Sequence, residues 1–312
     1  MADSNEMTLD DAVDLMEFWL VHLRGAGKSP QTLIAYERGA RQYLEFCREQ
    51  GHPPIVRRSL SAWLASLRDR GLQGYTARTR LTAVRSFAKW LADEGEIDVS
   101  PFVGMNQPVV DEKMVQPLTD EQITAMIAAC KTGPRPGPEQ TYLGVRDAAL
   151  IHVLAESAIR SGELLALLVD DVRWKDTPPT LIVRKTKTRR GRTVPLSPQA
   201  ADRLARYVRE RRKLRDSGLD EFWLSARGGP LRYGGFYDAL VKRAESAGVK
   251  DWHPHRMRHT GAHRWLAAGG SEGGLMAVAG WQSPSMLNRY TRAQAGARAA
   301  EEAKRLNLGE GL

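Results

Sequence analysis

The amino-acid sequence predicts a mainly α protein of two domains with one small β-sheet. Three observations carry this. The first 95 residues repeat capped, amphipathic helical segments. Residues 99–119 then hold three prolines and little periodicity, which marks a linker with its boundary near 106–116. Beyond it, helical periods yield near residues 170–196 to short β-prone runs and then return. A chain of 312 residues has the length for two cores. The expected division is 1–105 for a helical N-terminal domain, 106–116 for the linker, and 117–312 for a second domain ending in a tail helix.

Each element has its own signal. "TLDDAVDLMEFWLVHLRGAG" opens with a Thr8 cap and acids in the first turn, and stops at glycine. "SPQTLIAYERGARQYLEFCREQG" opens with Ser29 as cap and Pro30 in the first turn. "SLSAWLASLRDRG" is a third helix. The fourth, "TARTRLTAVRSFAKWLADEG", has an apolar stripe of Leu81, Val84, Ala88 and Leu91. Arg78, Arg85 and Lys89 share its opposite face, suited to tracking a phosphate backbone or simply to solvent. Helices follow at 119–131 and 142–157. "TLIVRKT" and "RTVPL" flank the polar turn "KTRRGR" as strands, with an earlier strand near 170–174. From Ser197 onward the pattern is helical with glycine breaks.

The formal net charge of +9 favours polyanionic partners, nucleic acid first among them. The charge is uneven. Residues 1–17 carry six acids and no Lys or Arg, whereas residues 18–93 carry 13 basic and 5 acidic side chains. From Gln107 onward there are 33 basic and 23 acidic side chains. The two cysteines, Cys47 and Cys130, form neither a disulfide framework nor a zinc spacing. A reduced, cytoplasmic and nucleoid-associated setting is expected. No secretory signal is expected, and the apolar run "AALIHVLAESAI" (148–159) is too short for a membrane span.

The stretch "HPHRMRHTGAHRW" (253–265) holds four of the seven histidines. His255, His259 and His263 recur every four residues, on one helical face. A metal site would need carboxylates or thiolates, and here Arg256, Arg258 and Arg264 intervene instead. No metal is expected. Pro254 suits a first helical turn, so His255 and Arg258 share a face suited to a phosphate. His259 and His263 default to structural support. Arg160 precedes a helix that Ser161 can cap and whose first turn holds Glu163. Lys185, Lys187, Arg189, Arg190 and Arg192 crowd one hairpin turn, in reach of a backbone phosphate. Gly280-Trp281 ends a helix, Ser283-Pro284 starts another, and Tyr290 falls near its end.

The order of these features resembles the tyrosine recombinase (phage integrase) family. The carriers are Arg160 in Arg-x-x-Glu-Leu, the lysine hairpin before Val194-Pro195-Leu196, His255-x-x-Arg258-His259, Gly280-Trp281, and Tyr290 nine residues on. The N-terminal body is similar to that family's core-binding domain, so the resemblance runs from about residue 10 to 292. It implies a SAM-like helical domain followed by an α/β catalytic domain of the integrase type, the DNA breaking-rejoining fold, in an Xer-like arrangement. It also implies a site-specific recombinase that needs no cofactor, metal or ATP. Its partners would be a double-stranded recombination site and three further copies of the chain, with C-terminal tails exchanged in a ring.

By the same resemblance, Arg160 and Arg258 clamp the scissile phosphate, where planar guanidiniums meet the extra charge of a pentacoordinate phosphorus. Lys187 protonates the leaving 5′ oxygen, with Lys185 as the alternative, and proximity to so many cations should lower its pKa. His255 handles the tyrosine proton. Trp281 donates an indole N–H to a phosphate oxygen but exchanges no proton. Tyr290 is the nucleophile. Glu163 and His259 support the site, and Arg78, Arg85, Lys89, Lys185, Arg189 and Arg190 meet the DNA. One departure stands out: the family's Thr-Gly-Leu before the first arginine reads Ser157-Ala158-Ile159 here. Two other readings stay open: a type IB topoisomerase, which would relax supercoils without a defined site, and a silent DNA-binding protein, which would form no covalent adduct. The resemblance spans integration and excision, chromosome-dimer resolution and transposition alike.

Overall fold

Thr8 accepts the Asp11 N–H at 3.2 Å, and the Asp11 carboxylate answers the Thr8 hydroxyl at 2.5 Å, so α1 (Leu9–Gly25) starts at the cap its sequence signals. The structure, a computed structural model, describes residues 7–72, 74–107, 115–131, 138–184, 191–284, 287, 299–300, 303–305 and 307. It divides into two units, Met1–Lys113 and Met114–Leu312. Most of the linker expected at 106–116 lies outside the described residues.

The first unit has four helices among its described residues. After α1 come α2 (Pro30–Gln50), α3 (Arg57–Asp69) and α4 (Gly74–Asp93). Ser29 caps α2 with Pro30 in its first turn. Helix α3 starts two residues earlier than Ser59: the Val56 carbonyl accepts the Ser59 and Leu60 N–H groups, so Ser59 lies inside the first turn, fully buried. The α4 stripe of Leu81, Val84, Ala88 and Leu91 is at most 1% exposed and packs among Trp19, Tyr43, Trp63 and Phe87. Burial of each leucine or valine there contributes about 1.5–3 kcal/mol, and of the Ala88 methyl about 0.8 kcal/mol. An exposed ion pair contributes about 0–1 kcal/mol, so the stripe and not the charged face sets how α4 sits. Helices α2 and α4 cross closely at Gly39, where an added Cβ would lie 2.8 Å from the Ala83 Cβ.

The second unit is built around α6 (Pro138–Ser157), which packs against α5 (Asp120–Ala129), α8 (Pro198–Arg211) and α10 (Pro254–Ala267). Its residues Ala149, Leu150, Ile151, Val153 and Leu154 are fully buried, as a helix enclosed by neighbours requires. Between α6 and α8 lie the short α7 (Ser161–Leu165) and an antiparallel sheet of β1 (Val172–Arg173), β2 (Thr180–Val183) and β3 (Arg192–Pro195). The register pairs Leu181 with Val194 and Val183 with Arg192. Leu181, Val183 and Val194 face the core. Two further helices among the described residues are α9 (Tyr233–Ser246) and α11 (Glu272–Ala279). A separate small cluster of Ala158, Ala262, Leu266, Leu275, Ala279, Trp281 and Leu287 fastens α10 to α11 and to the turn after α6. Among the described residues no helix is long and apolar enough to cross a membrane.

Candidate active site

Arg258 sits in the second turn of α10, only 4% exposed. A buried guanidinium must spend its donors on acceptors. One terminal nitrogen donates to the Ala158 carbonyl at 2.7 Å and the other to the Ala279 carbonyl at 2.8 Å. Its carbon lies 5.4 Å from the Trp281 ring centroid, so the indole covers one face of the fork. Both acceptor carbonyls belong to sharp bends. Ala158 has φ +48°, and Gly280, next after Ala279, has φ +67°. Glycine suits the second bend. The first places an alanine in the left-handed region at the position where the family motif carries glycine. Gly261 of α10 completes the fit, since an added Cβ would stand 2.7 Å from the Ala158 nitrogen.

Arg160 is the residue that caps α7; the cap expected of Ser161 is not formed, and Ser161 is the first helical residue. Arginine offers no acceptor, so Glu163 does the capping from within, taking the Arg160 N–H at 3.0 Å. The Glu163 carboxylate is buried and saturated. One oxygen accepts from the Arg160 guanidinium at 2.9 Å and from Arg192 at 3.0 Å. The other accepts the Arg160 N–H and a second Arg192 nitrogen at 2.6 Å. Burial pushes the carboxyl pKa up. The hydrogen bonds and charge of Arg192, with the two bonds from Arg160, outweigh it and hold the pKa below the ordinary glutamate value. The Arg160 side chain stays 40% exposed while that of Glu163 is 2% exposed. A fixed but accessible guanidinium is what an anion-binding group needs.

The structure thus brings Arg160, Glu163, Arg258 and Trp281 around the junction of residues 158–160, α10 and the end of α11. His255 lies one helical turn before Arg258 and is exposed. His259 packs edge-on against it, ring centroids 4.6 Å apart. His253 caps α10 by accepting the Arg256 N–H on Nδ1 at 3.1 Å, and burial followed by the Arg256 charge lowers its pKa. Lys185, Lys187, Arg189, Arg190 and Tyr290 lie outside the described residues, as does most of the tail. No three His, Cys, Asp or Glu side chains gather as metal ligands among the described residues.

Sequence reasoning missed Arg192 as a site component and singled it out only as one cation of a crowded turn. It is the first residue of β3, paired with Val183, and nothing in the sequence sets it apart from the other cations of that turn. In the first unit, Arg78 is exposed, Arg85 donates to the Met105 carbonyl, and Lys89 pairs with Asp93 at 2.7 Å. A different cluster went unread there. Arg80, half-buried on α4, has its pKa lowered by burial and then by the charges of Arg38 on α2 and Arg70 after α3. It remains a cation.

Both units have counterparts among known proteins. Residues 116–296 match the model of the phage integrase family, and residues 16–95 match the phage integrase N-terminal SAM-like domain. Among curated proteins, the tyrosine recombinase XerC of Roseiflexus castenholzii (strain DSM 13941 / HLO8) is 29% identical over 284 residues, 88% of each chain. Among solved structures, the Tn1549 transposon integrase in complex with transposon right end DNA superposes with a TM-score of 0.71 at 19% identity, over 96% of this chain and 100% of that one. A lambda integrase tetramer bound to a Holliday junction gives a TM-score of 0.67 at 17% identity, over 92% and 78%. With a family model covering more than half of its length, the chain belongs to the phage integrase family of tyrosine recombinases.

Proposed function

We propose that the chain cuts and rejoins DNA at a defined site through a 3′-phosphotyrosyl intermediate. Residues 117–312 would supply the chemistry, and the helical body of residues 1–105 would hold the duplex. The observation that carries this is the pair of guanidiniums, Arg258 anchored on two carbonyls and Arg160 on a buried carboxylate, beside Trp281. Donors fixed in advance stabilise charge that develops on the phosphoryl oxygens without reorganising.

In this reading the Tyr290 hydroxyl attacks the scissile phosphorus and the 5′ oxygen leaves, protonated by Lys187. His255 takes the tyrosine proton and returns it on rejoining. The phosphotyrosyl bond conserves the energy of the phosphodiester it replaces, so a 5′ hydroxyl can attack it and reseal the strand without ATP. The relatives named XerC are recombinases, and a lambda integrase is seen as a tetramer on a junction. Both favour strand exchange by four copies of this chain over relaxation of supercoils by a single one.

The test is a nicked suicide duplex carrying the chain's own site, recovered by sequencing DNA trapped on the wild-type protein. Wild type should accumulate a covalent adduct. Tyr290→Phe should form none while binding DNA within about twofold of wild type. A Tyr290→Phe variant that still forms the adduct, or a wild type that never does, would defeat the reading.

A further inference from the structure

Arg192 is 14% exposed and spends its guanidinium inward. Two nitrogens form a fork on both Glu163 oxygens, and Nε donates to the Val278 carbonyl at 2.6 Å. Gly280 lies flat against it: an added Cβ would meet the guanidinium at 2.9–3.1 Å. One side chain therefore ties the first residue of β3 to the first turn of α7 and to the end of α11. These segments carry or adjoin Arg160, Trp281 and the lysine-bearing turn.

The charges decide what the tie does. Arg160 and Glu163 alone would form a neutral pair, and a neutral pair attracts a phosphate weakly. Glu163 also competes directly, since it accepts from the same Arg160 guanidinium that would turn to a phosphate. Arg192 adds a second cation on the same carboxylate, and the trio then carries a net single positive charge. We infer that Arg192 is a positioning residue for strand cleavage: it offsets the charge of Glu163, so that the carboxylate orients Arg160 without neutralising it. This rests on the reading of Arg160 as a phosphate clamp.

The offset has a signature that a scaffold role lacks. Arg192→Gln leaves one cation and one anion, and Glu163→Gln in the same chain restores the single positive charge. On the suicide duplex at saturating DNA, Arg192→Gln should form adduct about tenfold or more slowly than wild type. The double variant Arg192→Gln with Glu163→Gln should recover most of that loss, although it carries one substitution more. Arg192→Lys, which keeps the charge with a poorer fork, should fall between wild type and Arg192→Gln. Thermal unfolding of each variant, followed alongside, confines the comparison to folded protein. A folded double variant no faster than Arg192→Gln overturns the inference, because a scaffold role gives additive losses. An Arg192→Gln as fast as wild type overturns it too. Wild type without adduct defeats the functional reading and this inference with it, so the two failures are told apart by the control.

Discussion

Two groups of arginines, one in each unit, are held in opposite ways. In the second unit Arg258, Arg192 and Arg160 are each held on carbonyls or a carboxylate, and two of the three are largely buried. In the first, Arg80 lies beside the close crossing of α2 and α4, and the like charges of Arg38 and Arg70 act on it. Among the described residues the one acceptor there is the Ser66 carbonyl, taken by Arg70. The difference separates two tasks. A group that must meet charge as it develops on a single phosphorus has to be aimed beforehand, and acceptors do the aiming. A surface that attracts a polyanion needs only density of charge, and its grip fades as salt screens it.

The sharpest way to break the comparison is Arg258→Lys. An ammonium cannot span both the Ala158 and Ala279 carbonyls and still present a planar edge. Adduct formation should fall about 100-fold, with DNA affinity changed by less than about threefold. A lysine variant close to wild type in rate would mean that point charge suffices here, and that aiming is not what the buried arginine provides.

The two bends that supply those carbonyls make the next test. Gly280→Ala places a Cβ against the Arg192 guanidinium at a φ of +67°. It should cost about 1–2 kcal/mol of stability and slow adduct formation about tenfold. Ala158→Gly is not its mirror image. Relief of the left-handed alanine gains about 1–2 kcal/mol. The lost methyl burial in a side chain 1% exposed gives back about 0.8 kcal/mol. Chemical denaturation should show a net change under about 1 kcal/mol for Ala158→Gly and a clear loss for Gly280→Ala. Equal effects would remove the claim that Gly280 is required by Arg192 as well as by its own backbone.

Most of the fold was legible because it rests on local signals. Thr8, Ser29, Thr119 and Ser197 all cap helices, and the α4 stripe is buried as its period requires. The cap at α7 was misread because Ser161 is a good cap in isolation, while Glu163, drawn in by two arginines, captures the Arg160 N–H instead. Arg192 could not be read as part of the site. Its partners Glu163 and Val278 are 29 and 86 residues away in sequence, and nothing in a basic turn says which cation folds inward. The α4 face shows the converse limit. Helical spacing grouped Arg78, Arg85 and Lys89 correctly in angle, but spacing does not show that Arg85 bends to a carbonyl or that Lys89 has Asp93 beside it.

The smallest effect decides which face of the first unit meets DNA. Arg78 and Arg80 are two residues apart on α4 and so point about 160° apart. A duplex lying along Arg78 and Lys89 would not lie along Arg80. Lys89 is already paired at 2.7 Å with Asp93, an exposed carboxylate that any approaching phosphate must displace or tolerate. Arg80 is surrounded instead by like charge, so a phosphate there relieves repulsion as it binds. Arg80→Gln should therefore lower the slope of log affinity against log salt by about one, and Lys89→Gln by less. Both should leave the adduct rate at saturating DNA within about twofold of wild type, since neither is one of the aimed arginines. If Lys89→Gln shifts the slope and Arg80→Gln does not, the face marked by helical spacing is the binding face. The repulsion of Arg80 by Arg38 and Arg70 would then be a cost of the α2–α4 crossing with no polyanion to relieve it.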